Sequence, residues 1–296
     1  MSLNHNRLLK PPKKLRKLIN KMDGQPTPEE VHDLRTNTRR FEAMFEALSL
    51  EEQNVGKSML KSLVRIRKHA GKVRDMDVLT SYASTIHPEG EEECSIQLLE
   101  HLGAQRKKYA RKLVAETQSV GPECRKGLKS ASSILTALLT DGNDASNEKA
   151  VANATATAVR LAAQLGKPQS LNKENLHLYR LKIKDLQNVL RMAAGASSAK
   201  FIDDLGEVKD SIGEWHDWEE LIVIANKVLN HGSRCGLQSE LKRITKQRYD
   251  HALSVAKTLR TTYLQSSHSS KKGAAPAALL KIPRQPVWEA TAMLAV

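Results

Sequence analysis

Two pentapeptides constrain this chain more than any bulk property does. Val31-His32-Asp33-Leu34-Arg35 recurs 145 positions later as Leu176-His177-Leu178-Tyr179-Arg180. The match continues from Arg39 to Lys184 at the same offset. A second signature follows each copy. Gly71-Lys72-Val73-Arg74-Asp75-Met76-Asp77-Val78-Leu79 parallels Gly213-Glu214-Trp215-His216-Asp217-Trp218-Glu219-Glu220-Leu221. Both read Gly, two residues, a basic type, Asp, an apolar residue, an acid, any residue, then Leu. Asp75 and Asp217 of the second signature lie 43 and 40 positions after their histidines. Two ordered matches at nearly equal spacing argue for a duplicated unit.

The unit is helical. Apolar residues recur at helical intervals almost throughout, predicting helices over about 6–22, 28–48, 51–72, 75–86, 91–118 and 122–140. A second set is expected over about 146–166, 172–194, 198–214, 216–231 and 236–263. Thr27-Pro28-Glu29-Glu30 reads as a capping box with Pro at the first helical position. His87-Pro88, Gly121-Pro122 and Asp141-Gly142-Asn143-Asp144 read as breaks. No convincing strand is found. The expected fold is all-α: two helical-bundle halves, 1–143 and 144–264, related by a pseudo-twofold, and a Ser-, Lys-, Ala- and Pro-rich tail from 265 to 296 expected to be disordered. Composition agrees. Hydrophobic residues are 40% and aromatics only 4%, so Leu, Val, Ile, Ala and Met must fill the core, as suits helices better than a β-sandwich.

Charge narrows the function. The net charge is +14 and the pI about 9.7, which favours acidic partners. His32, Arg35, Thr36 and Arg39 fall on one arc of their helix, and Leu34, Phe41, Met44, Phe45 and Leu48 on the other. Ala43 and Ala47 are read as small residues extending the polar strip. His177, Arg180, Lys184, Asn188 and Arg191 repeat the strip in the second half, opposite Tyr179, Ile183, Leu186 and Leu190.

The next helix has no acid between Glu52 and Asp75. Lys57, Lys61, Arg65, Lys68 and Lys72 project within about 80° of arc. Charges one turn apart repel by roughly 0.7 kcal/mol in water and roughly 3 kcal/mol at an effective dielectric of 20. Such a row is costly until an anion neutralises it. A chain of phosphates fits: Arg gives forked hydrogen bonds and Lys mobile point charges. Arg67 and Arg74 point to the apolar side, where Asp33, Asp75 or Asp77 are expected partners. Asp75, Asp77, Asp217 and Glu219 are read as helix caps.

Other classes find less support. Three cysteines with no CxxC, Cys94, Cys124 and Cys235, argue against a disulfide framework or zinc knuckle. No HxxxH or HExxH supports a metal at His32 or His177. The longest apolar run, Leu221 to Ala225, is too short to span a bilayer. The N-terminus lacks an apolar signal core, so a cytoplasmic protein without membrane insertion is expected.

His32-xx-Arg35-xxx-Arg39-Arg40 followed by Arg74-Asp75-Met76-Asp77-Val78 resembles the CHAD family (conserved histidine α-helical domain), and His177-xx-Arg180-x-Lys182-x-Lys184 followed by Gly213 and Asp217 is similar to its second repeat. The resemblance covers the chain to about residue 263 and is specific as an ordered pair of motifs. It implies paired helical bundles around a basic inner groove or pore. It also implies binding of inorganic polyphosphate and association with polyphosphate granules. Carried over by position, His32, Arg35, Arg39, Arg40, His177, Arg180 and Lys184 become phosphate contacts, with the Lys57 to Lys72 row as an inner helix. Some members carry a triphosphate tunnel hydrolase domain; its Glu-x-Glu-x-Lys motif is not found here, and a stand-alone member is expected. Two departures stand out. Asp185 replaces a counterpart of Arg40, and Asp203, Asp204 and Glu207 occupy the helix expected to match the basic row. The first half is therefore expected to contribute more.

The expected function is non-enzymatic polyphosphate binding without a cofactor. Nucleic-acid binding is the first alternative, although the basic arc lacks interleaved aromatics for base stacking. A metal-dependent phosphohydrolase is the second, although carboxylates to hold the metal are not seen on the basic arcs.

Overall fold

The computed structural model describes residues 2–50, 56–140, 144–194, 199–229 and 235–264. The expected linker at Asp141-Gly142-Asn143 and the expected disordered tail lie outside the described residues. Among those described, eight helices form: α1 (His5–Lys21), α2 (Pro28–Ala47), α3 (Lys57–Ala83), α4 (Glu92–Thr140), α5 (Asp144–Gly166), α6 (Lys173–Leu190), α7 (Ala199–Val228) and α8 (Gly236–Tyr263). A two-residue antiparallel ladder is the one departure from all-helical structure there. It pairs β1 (Ser2–Leu3) with β2 (Ala193–Ala194) and ties the N-terminus to the end of α6. No described helix is long and apolar enough to cross a membrane.

Local sequence explains where α2 and α6 begin. Thr27 Oγ1 accepts the Glu30 N–H at 3.2 Å, and Glu30 Oε2 accepts the Thr27 N–H at 3.0 Å. The same reciprocal cap occurs at the start of α6: Asn172 Oδ1 accepts from Asn175 N at 3.1 Å, and Asn175 Oδ1 from Asn172 N at 3.0 Å. Each cap satisfies two N–H groups the helix itself cannot. Both histidine-bearing helices are therefore capped in a fixed register, five residues before their histidines.

Three expected breaks are absent. α3 runs through Lys72–Asp75, α4 through Gly121-Pro122 and α7 through Gly213–His216. An arginine lies close across Gly213, and another passes Gly71 at ordinary contact distance. A Cβ on Gly213 would sit 2.6 Å from an Arg180 guanidinium nitrogen, and one on Gly71 3.7 Å from Arg35 Nε. Gly121 serves close packing in the same way, with Ile19 of α1 against it at 3.2 Å. Continuity also removes the expected caps: Asp75, Asp77, Asp217 and Glu219 all stand inside helices.

α1 to α4 pack consecutively, and α4, about 74 Å long at 1.5 Å per residue, closes back on α1. α5 to α8 follow the same order, α5 on α6, α6 on α7 and α7 on α8. The sets meet where α2 faces α6 and α3 faces α7. Leu34, Phe41, Met44 and Phe45 of α2 and Tyr179, Ile183 and Leu186 of α6 are buried in one core, as their periodicity requires. Ala47 joins that core at 0% exposure, so it does not extend the polar strip. A second core gathers Met76, Leu79, Cys94, Leu98, Trp218, Leu221 and Leu237 from α3, α4, α7 and α8. With their apolar sides fixed in these cores, α2 and α6 turn their basic strips toward a common space.

Candidate functional site

That space is a groove of about 710 Å³. α2 lines it with His32, Arg35, Arg39 and Arg40, and α6 with His177, Arg180 and Lys184, extended by the capping residue Arg191. The two helices thus line the groove with four expected residues each. Arg74 lines the groove as well and does not turn to the apolar side. Arg67 does turn inward, where its Nε pairs with Glu42 at 2.8 Å.

Among the described residues, Arg35, Arg39, Arg40, Arg74, Arg180, Lys184 and Arg191 form no ion pair within 4.0 Å. Arg180 is held by its Nε donating to Lys209 O at 3.1 Å, which leaves its terminal nitrogens for the groove. Arg39 Nε and His177 Nδ1 are shielded from solvent and have no hydrogen-bond partner among the described residues.

Electrostatics follow from burial without pairing. Burial, with Arg39, Arg35 and Arg180 nearby, pushes Lys184 down to about 6. Burial and then Arg67 push Arg39 down to about 10. His32 and His177 are held below the ordinary histidine value by burial first, then by Arg74 and Arg180 respectively. His216, its ring centroid 4.3 Å from that of His177, is pushed down to about 4 by burial and then by that neighbour.

An acidic wall faces this basic one. Asp75 from α3 and Asp217 and Glu220 from α7 line the same groove. Burial raises all three, Asp217 to about 6 and Glu220 to about 7, with Asp75 adding to both. Sequence reasoning took two of these for caps and missed Glu220. The usable signal was the second signature itself, which places Asp75 and Asp217 equivalently beside glycines that admit Arg35 and Arg180. Asp77 lies outside the groove, paired with Arg106 of α4 at 2.6 Å; Glu219 pairs with Lys173 at 2.5 Å.

Two further cavities adjoin the groove. One of about 380 Å³ shares Arg40, Asn188 and Arg191 with it and adds Arg7 and Lys10. Another of about 820 Å³ shares Asp75, His216 and Glu220 and adds Lys72, Lys173, Lys242 and Lys246 above Trp215 and Tyr249.

A family model described as the CHAD domain matches residues 13–224. The chain belongs to the CHAD family. The crystal structure of the CHAD domain from the plant Ricinus communis is similar in fold, with a TM-score of 0.53 and 16% identity over 88% of this chain and 91% of that one. No curated protein matches the chain.

Within this CHAD domain the α3 row stands apart from the groove. Lys57, Lys61 and Lys68 are exposed on the outer face, and Arg65 Nε pairs with Glu116 of α4 at 2.8 Å. Lys72 lies 5.7 Å from the Tyr109 ring centroid and reaches the 820 Å³ cavity. The reading of this row as an inner helix is therefore corrected. Val73 and Ile66 of α3 are buried at 0% exposure, and Arg74, Asp75 and Val78 take the groove side, so the row is left to point outward.

Proposed function

We propose that the groove binds a linear polyanion, with inorganic polyphosphate as the ligand. The carrying observation is the convergence of unpaired cations from α2 and α6 on one space. Half-buried in this way, such groups are disfavoured by partial desolvation and by one another, and a run of phosphates supplies the missing charge at regular spacing without any sequence to read. The adjoining cavities extend the basic lining in both directions, which suits a long chain better than a single phosphate. The near-equal contribution of α2 and α6, the matching caps and the paired Arg–Gly contacts support a duplicated unit as the basis of the site. Association with polyphosphate granules follows as part of the same proposal.

Competition tests the ligand. Polyphosphate should displace labelled duplex DNA of equal phosphate content, and should stay bound at physiological salt where DNA leaves. Equal, salt-labile binding of both would reduce the site to a generic basic surface.

One observation favours a second reading, since Asp75, Asp217 and Glu220 do share the groove. Hydrolysis of phosphate chains would need them to hold metal. Their oxygens do not gather as three potential ligand atoms within 4.8 Å of one another among the described residues, and we propose binding as the activity of the groove. Phosphate release in Mg²⁺ or Mn²⁺ that is lost in Asp217→Asn would favour the hydrolase.

A further inference from the structure

Outside the lining of the basic groove, Glu91, Cys94 and Cys235 converge where α4 and α8 begin. Glu91 precedes the first residue of α4, Cys94 lies in its first turn, and Cys235 is the capping residue of α8. Both cysteines are buried, at 1% and 2% exposure. Their sulfurs are 4.0 Å apart, and Cys235 Sγ lies 3.6 Å from Glu91 Oε2. One donor atom from each residue lies within 4.8 Å of the other two. The remaining carboxylate oxygen, Glu91 Oε1, accepts the Gly236 N–H at 2.5 Å.

These separations fit a metal better than a disulfide. A tetrahedral Zn²⁺ with bonds of about 2.3 Å to sulfur and about 2.0 Å to oxygen places two sulfurs about 3.8 Å apart and a sulfur about 3.5 Å from the oxygen. A disulfide would require the sulfurs to close from 4.0 Å to about 2.05 Å. We propose that Glu91, Cys94 and Cys235 bind a thiophilic divalent cation of the Zn²⁺ class, clipping the start of α4 to the start of α8. The hydrogen bond from Gly236 fixes the carboxylate, as outer partners of metal ligands commonly do. Water fills the fourth position. The site closes one end of the core shared by α3, α4, α7 and α8, so the metal adds to folding stability. Binding releases the thiol protons, and affinity falls as pH is lowered.

Sequence spacing hides the site. Cys94 and Cys235 lie 141 positions apart, so no local metal motif exists, and only packing of α4 near α8 brings them together.

The test uses the full chain, purified with reductant and stripped with chelator, and Co²⁺ as the probe. The expected result is uptake of one equivalent with thiolate-to-cobalt charge-transfer absorption, displaced by Zn²⁺, and a higher Tm with Zn²⁺ than without. Cys94→Ser and Cys235→Ser should each lose the band, while Cys124→Ser, buried elsewhere in α4, should keep it. X-ray absorption on the Zn²⁺-loaded wild type should show two sulfur neighbours, a readout that holds even where a serine variant does not fold. A zinc shell without sulfur, or a band unchanged in Cys94→Ser and Cys235→Ser, would overturn the proposal. So would reduced wild type that takes up no Co²⁺.

Discussion

Lys184 shows how the groove is poised. Half-buried among Arg39, Arg35 and Arg180, it falls to about 6 from an ordinary value of 10.5. Between those values the unfolded chain holds a proton there that the folded chain lacks. Unfolding therefore takes up a proton, and stability rises with pH through that window. Lys184→Met should stabilise the free protein by about 1–4 kcal/mol at pH 7, because the native lysine must give up its proton on folding at that pH and an apolar side chain bears no such cost; thermal melts at pH 6 and 8 measure this. An anion in the groove reverses the preference and restores the lysine proton. Polyphosphate binding at pH 7.5 should therefore take up protons, seen as a dependence of calorimetric heat on buffer ionisation enthalpy. Affinity should rise as pH falls toward 6. In Lys184→Met most of the uptake at pH 7.5 should vanish, leaving the His32 and His177 component to appear at lower pH. Unchanged uptake in the variant would remove Lys184 from the site.

At the scale of helices, the glycines separate binding from folding. A methyl group at Gly213 would meet the Arg180 guanidinium at 2.6 Å, whereas at Gly71 it would make ordinary contact with Arg35 at 3.7 Å. Replacing glycine by alanine inside a helix gains up to about 1 kcal/mol. Gly71→Ala should therefore be neutral or stabilising with binding kept. Gly213→Ala should keep its fold, because the flexible Arg180 can yield, but bind polyphosphate about tenfold more weakly through the displaced guanidinium. Melting temperature and titration on both variants check the pair. The caps offer a simpler check: Thr27→Ala and Asn172→Ala should each cost about 1 kcal/mol in denaturant unfolding.

The same elements show what was legible in the chain. The Thr27 cap, the buried faces of α2 and α6 and the convergence of the histidine strips follow from local chemistry and helical period. The continuity of α3, α4 and α7 did not, because Gly121-Pro122 read as a break and Asp75 and Asp217 as caps of new helices, and nothing local marks what Gly71, Gly121 and Gly213 are for. Their role is set by Arg35, Ile19 and Arg180, residues distant in the chain. The α3 row misled for a related reason. A single-sign stripe specifies a surface, but only the packing of α3 against α2, α4 and α7 decides whether that surface faces the groove.

Across the whole molecule, the site exists because two helical sets are held in one arrangement. Arg106 of α4 reaches the loop before α2, donating from Nε to Asp77 at 2.6 Å and from Nη2 to Pro26 O at 2.9 Å. Asp77 is only 6% exposed, so Arg106→Ala strands a buried carboxylate. A loss of about 3–5 kcal/mol in stability is expected, measured by denaturant unfolding. The central claim, however, concerns where the charge lies. Calorimetric titration with long-chain polyphosphate should compare the wild type with two doubly reversed variants of equal net charge, Arg39→Glu with Arg180→Glu in the groove, and Lys61→Glu with Lys68→Glu on the outer face of α3. With folding confirmed by circular dichroism, the account predicts that the groove variant loses at least 100-fold in affinity at physiological salt and the outer variant less than about fivefold. Equal losses in the two variants would contradict it, and would assign polyanion binding to net charge instead of to the groove.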